Sequence, residues 1–216
     1  MELDEHEQGE VVQRWLRNNG SSLITGIALG LALVFGWQWW QGKGGRHQEE
    51  AATQYHAYGQ ALDAKDAAKA RIFESQLADK YSDTPYARLA VLRQAAFLQA
   101  NDKTQDAIAL LQSAQASFKQ ADMKELLQLR LARLQLIAGK PDLAIRQLDA
   151  VGAKPQYPAI ASELRGDAAA AQGKRDEARA DYEQALTHLD QAAPTRALLE
   201  LKLIDAGGTP PAKPEA

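Results

Sequence analysis

Hydrophobic residues fall in two regimes along the chain. From Asn18 to Gly42 no charged residue appears, and the run from Ser21 to Trp40, SSLITGIALGLALVFGWQWW, is apolar on every side. Beyond it, apolar positions recur three and four residues apart, the spacing of one helix face, and no window alternates with the period of a strand. The pattern predicts an all-α chain: one uniformly apolar helix, then a string of amphipathic ones.

A helix of about 20 apolar residues spans a hydrocarbon core of about 30 Å. A cleaved export signal would have a shorter apolar core ending in small residues, whereas this run ends in Trp37, Trp39 and Trp40. A soluble core helix would carry a polar side. Residues 21–41 are therefore expected to be an uncleaved membrane anchor. Residues 1–20 then form a short acidic and amphipathic segment, in which Trp15 marks one interface while Trp37, Trp39 and Trp40 mark the other. Gly26 and Gly30 make a G-x-x-x-G that allows close helix approach in lipid, although glycine is common in membrane helices without any such role. Arg14 and Arg17 before the run balance Lys43 and Arg46 after it, so charge counting barely orients the anchor.

After the anchor, GKGGR predicts a flexible tether over residues 42–49, and the Pro- and Gly-rich residues 207–216 predict a disordered tail. Between them, residues 50–206 carry a repeat. RQAAFLQANDKTQDAIALLQSA, RLARLQLIAGKPDLAIRQLDAV and RGDAAAAQGKRDEARADYEQAL each read as helix, turn and helix. Ala107, Ala144 and Ala178 stand 37 and then 34 residues apart; twelve positions before them come Ala95, Ala132 and Gly166, and four after come Leu111, Leu148 and Tyr182. Small residues facing large ones let two helices approach closely while a neighbour fills the hole. A period near 34 with this alternation is the tetratricopeptide pattern in degenerate form, hence a short α-solenoid of antiparallel helix pairs. The segment from His47 to Tyr81 is helical but out of register, which suggests an atypical capping pair, and the stretch from Pro194 predicts a closing helix.

Composition narrows the chemistry. With 25 basic and 28 acidic residues there is no basic stripe for phosphates, and with no cysteine there is neither disulfide nor thiolate chemistry. Nucleic acid is not an expected partner. His6, His47, His56 and His188 have no metal-ligand spacing, and Ser113, Ser117 and Ser162 have no base at hand. No catalytic, cofactor or metal site is expected. Tyr55, Tyr58, Tyr81 and Tyr86 fall at helical spacing and read as core rather than as a peptide groove.

The whole chain resembles the YfgM family of ancillary Sec-translocon subunits, through VVQRWLRNNG, the span closing in GWQWW, LRLARLQL, and LRGDAAAAQGKRDEARADYEQAL with Arg165, Gly166, Asp167, Gly173, Ala178, Tyr182 and Ala185. The resemblance implies a single-pass inner-membrane protein with its N-terminus in the cytoplasm and its repeat domain in the periplasm. It implies association with the SecYEG translocon and a PpiD-type periplasmic chaperone, transfer of newly exported client proteins, a modulating role of the cytosolic segment in envelope stress regulation, and no enzymatic activity. The competing reading is a membrane-tethered repeat scaffold for envelope assembly or division complexes.

Overall fold

The computed structural model describes the backbone of residues 3–211, with the side chains of residues 1–14, 16, 19, 22–24 and 38–44 left aside. Trp39, Trp40 and residues 212–216 of the expected tail thus lie outside the described residues. The chain divides into two compact units, residues 1–53 and 54–216. All regular structure among the described residues is helical: α1 Leu3–Asp63, α2 Ala67–Lys80, α3 Pro85–Ala100, α4 Thr104–Ala114, α5 Ala121–Ile137, α6 Pro141–Val151, α7 Pro158–Ala171, α8 Arg175–Thr187 and α9 Arg196–Asp205, with one 3-10 turn at Gln115–Ser117.

Helix α1 runs through residues 42–49, where the sequence predicts a flexible tether. Three glycines cost a helix roughly 1 kcal/mol each, but none of them breaks its hydrogen bonds as proline would.

In the second unit the elements alternate as helix pairs. Within each pair α3 packs on α4, α5 on α6 and α7 on α8, while α2 meets α3, α4 meets α5, α6 meets α7 and α8 meets α9. The first helices also touch one another, α3 on α5 and α5 on α7. Buried apolar residues accordingly form overlapping clusters. Ala95, Ala107, Leu111, Leu127 and Leu131 join α3, α4 and α5; Leu129, Ala132, Ala144, Leu148 and Leu164 join α5, α6 and α7; Ala169, Ala178, Tyr182, Leu199 and Leu203 join α7, α8 and α9. Each pair buries its apolar face only against its neighbours, the energetic logic of a solenoid. Helix α5, caught between pairs, is buried on nearly every side, including Glu125, Gln128 and Gln135.

One turn ends the first helix of every pair and also α9. The residue after the helix cap takes a left-handed conformation at Lys65 (φ 55°), Asp102 (φ 60°), Gly139 (φ 70°), Gly173 (φ 76°) and Gly207 (φ 88°). At Gly139 its N–H donates to Leu136 O at 2.9 Å, and the next residue, Lys140, donates to Gln135 O at 2.8 Å. The same two bonds recur at the other four turns, for example from Lys174 to Ala169 O and from Gly208 to Leu203 O. This is the Schellman arrangement, which satisfies the last carbonyls of a helix as it stops. The five turns are spaced 37, 37, 34 and 34 residues apart. The segment read from sequence as out of register therefore turns at the same point as the others: Lys65 stands 37 residues before Asp102. Its interior differs instead. Tyr58 stands 37 residues before small Ala95, and Glu74 stands 37 before Leu111. Glu74 lines an open pocket of about 190 Å³ together with Ala70, Gln94 and Phe97.

Candidate protein-binding face

The first helix of every pair shows one side to water. Asp63, Ala100, Ile137, Ala171 and Asp205, which share a register, are all exposed. Hydrogen bonds complete this layer at its two ends. Tyr58 on α1 donates its hydroxyl to Gln94 Oε1 on α3 at 2.7 Å, and Arg93 on α3 reaches Asp63 at 3.1 Å. At the other end Lys202 Nζ on α9 lies 2.6 Å from Glu163 and 2.8 Å from the Asp167 carboxylate on α7. Asp167 also accepts from the Tyr182 hydroxyl at 3.0 Å. Burial alone would pull the Lys202 ammonium down, but its bonds to Asp167 and Glu163 outweigh that and hold it above the ordinary lysine value. The Tyr182 phenol is pushed up, by burial first and by Asp167 next.

The chemistry of the layer changes along its length. Near the start, the rings of half-buried Tyr55 and Tyr86 meet at 5.9 Å between centroids, and the Arg93 guanidinium lies 5.8 Å from the Tyr55 ring. In the middle, Arg130 is half-buried with its Nε enclosed and unbonded, and Arg133 stands one turn on, exposed. Burial first, and Arg133 next, lower the Arg130 value. At the far end, Leu198, Leu201 and Ile204 are each half-exposed or more on the outer side of α9, while Leu199 and Leu203 on its inner side close the last core cluster. The expected closing helix thus covers the last pair with one face and shows a second apolar stripe to solvent. Ile137 and Ile160 add exposed apolar side chains on α5 and α7.

The repeat positions read from sequence lie inside the stack. Ala95, Ala107, Leu111, Ala132, Ala144 and Ala178 are fully enclosed, with Leu148 at 1% and Tyr182 at 4% exposure. A Cβ on Gly166 would meet the Tyr182 ring. Tyr58 and Tyr81 are core, whereas Tyr55 and Tyr86 sit at the surface layer. In the first unit, a Cβ on Gly26 or Gly30 would meet nothing within 4 Å, so neither packs on another helix here. Trp15 and Trp37 are exposed. Among the described residues no helix is long and apolar enough to cross a membrane, the described side chains in the apolar run being those of Ser21 and Thr25 to Trp37.

Sequence reasoning missed Glu125. Buried on α5, its carboxylate accepts the backbone N–H groups of Gln156 and Tyr157, both at 2.9 Å, and so fastens the loop that leads into α7. The signal was present, since a glutamate sits on the apolar face between Met123 and Leu127, but spacing alone does not say which loop it meets.

A model of the tetratricopeptide repeat-like domain matches residues 13–208. The chain is 30% identical over 184 residues to an ancillary SecYEG translocon subunit of Escherichia coli strain K12, covering 83% of this chain and 86% of that one. The chain belongs to the YfgM family. Two further YfgM-family relatives, both named ancillary SecYEG translocon subunits, come from Haemophilus influenzae, at 27% identity over 85% of this chain and 89% of the relative, and from Aggregatibacter actinomycetemcomitans, at 26% over 85% and 89%. No solved structure matches this YfgM-family chain.

Proposed function

We propose that this chain is a non-enzymatic, single-pass inner-membrane subunit that associates with the SecYEG translocon through its anchor and offers its helical repeats to proteins emerging on the periplasmic side. The observation that carries the reading is that one family match runs unbroken from residue 13 to residue 208, through the apolar run and all the repeats. Exposure in the first unit supports an anchor at 21–41. Leu33 is 73% exposed and Phe35 62%, and Ile27, Leu29, Leu31 and Val34 are each half-exposed or more, an arrangement that costs little in lipid and much in water. Gly26 and Gly30, with open space beside them, are the surface on which another membrane helix would pack. Trp15, Trp37, Trp39 and Trp40 anchor the two interfaces.

The N-terminus lies in the cytoplasm in this reading, where the short acidic segment takes part in envelope stress regulation. The layer of first helices then binds exported clients and a PpiD-type chaperone, and passes one to the other. Repeat stacks suit this work because they present a long, shallow surface to extended segments or partner helices.

The test is quantitative co-purification of the tagged full-length protein from mild-detergent membranes, beside the variants Gly26→Leu with Gly30→Leu and Leu201→Lys. Enrichment of SecY and a PpiD homologue, with SecY reduced by the glycine pair and the chaperone reduced by Leu201→Lys, is the expected result. Enrichment of wall-synthesis or division proteins instead would replace this function with that of an envelope scaffold. Recovery of the protein alone would end the translocon reading.

A further inference from the structure

Within that reading, the middle of the first-helix layer has its own chemistry. Arg130 and Arg133 lie one helical turn apart on α5, and among the described residues neither makes an ion pair. Like charges at this spacing repel on a helix surface. The carboxylates bonded within this layer are bonded to other groups. On α1, Asp63 is held by Arg93, itself the register equivalent of Arg130. On α7, Glu163 and Asp167 are both held by Lys202. On α5 itself, buried Glu125 spends its oxygens on two backbone N–H groups. The Nε of Arg130 is enclosed and unbonded while the residue as a whole is half-buried, so its charge is only partly solvated. Exposed Ile137 follows Arg133 by one turn on α5, and exposed Ile160 lies on α7, which packs against α5.

We infer that Arg130 and Arg133 form a carboxylate-binding subsite for an acidic amphipathic segment of a partner protein, with Ile137 and Ile160 receiving the apolar residues that flank its Asp or Glu. Charge complementarity selects this occupant. A basic segment would add to the repulsion, and a purely apolar one would bury both guanidinium groups unpaired. Bidentate pairing with a carboxylate is the geometry that guanidinium groups favour. The inference rests on the repeat layer being a protein-binding face, and it names the class of segment held there.

The probe is a fluorescein-labelled twelve-residue peptide, capped at both ends, with two glutamates between leucines, compared by fluorescence anisotropy with its Glu→Gln counterpart. Both are titrated with the full-length protein in detergent. The glutamate peptide should bind roughly tenfold tighter at low salt, and that advantage should shrink as salt rises. Arg133→Gln, an exposed substitution that leaves the core alone, should cut the advantage severalfold, Arg130→Gln with Arg133→Gln should abolish it, and Arg146→Gln on the outer surface of α6 should leave it intact. Equal binding of the two peptides, or a preference that survives Arg133→Gln, overturns the subsite. Neither result bears on SecY recovery from membranes, so failure here and failure of the translocon reading are told apart.

Discussion

Gly166 on α7 and Tyr182 on α8 occupy each other's space: a Cβ at Gly166 would come within 2.5 Å of the Tyr182 ring. The ring is fixed from its far end, where its hydroxyl donates to Asp167, next to Gly166 in sequence. Tyr182 therefore cannot yield without giving up that bond. Gly166→Ala gains helix propensity of about 1 kcal/mol, but must displace a packed aromatic ring, an overpacking cost of about 1 to 3 kcal/mol. The net expectation is a destabilised domain, read as a lower urea midpoint. In the background of Tyr182→Leu the same substitution should become neutral or stabilising. A stabilised single variant would mean that the small positions of this stack do not set the approach of its helices.

The five Schellman turns make a second, purely backbone prediction. Gly139 has φ 70° and open space beyond it, while Asp102 adopts the same conformation with a side chain, at φ 60°. A left-handed residue other than glycine costs roughly 1 to 2 kcal/mol. Gly139→Ala should thus destabilise by about 1 kcal/mol without touching any neighbour, whereas Asp102→Gly should be neutral or stabilising. Paired urea titrations of the two variants decide it, and equal losses in both would remove the turn conformation as the cause.

The same comparison shows what could be read from sequence. The three central pairs were legible because small and large residues recur at fixed offsets from a turn that contains Gly139, Gly173 or Asn101-Asp102. The first pair was not, because its turn residue is Lys65 and its interior pattern is inverted, with Tyr58 on the small register and Glu74 on the large one. Periodicity detects residue types, while the Schellman turn is a property of φ and can be held by lysine. The surface layer was legible only in part. Exposed Leu198, Leu201 and Ile204 follow the same spacing as a buried stripe, and Arg130 looks like any other helical arginine until the fold shows its Nε enclosed and unbonded. At residues 42–49 the backbone is helical, since glycine disfavours a helix without forbidding it.

Lys202 yields a pH prediction with a definite sign. Its folded value lies above the ordinary one of 10.5, because bonds to Asp167 and Glu163 outweigh burial. The stability it contributes is therefore fully present below about pH 10.4, the unfolded lysine value, and is lost as pH rises through the folded value. Tyr182 pulls the same way, since the folded state keeps its phenol proton after the unfolded chain has begun to lose its own near pH 10. Urea midpoints should thus fall between pH 8 and pH 11. Lys202→Met separates the two groups. At pH 8 it should cost roughly 2 kcal/mol, because Glu163 and Asp167 are left half-buried without their cation. Its further loss up to pH 11 should be smaller than that of the parent protein, with the tyrosines supplying what remains. If both proteins lose the same stability over that interval, the alkaline slope owes nothing to the bridge between α7 and α9.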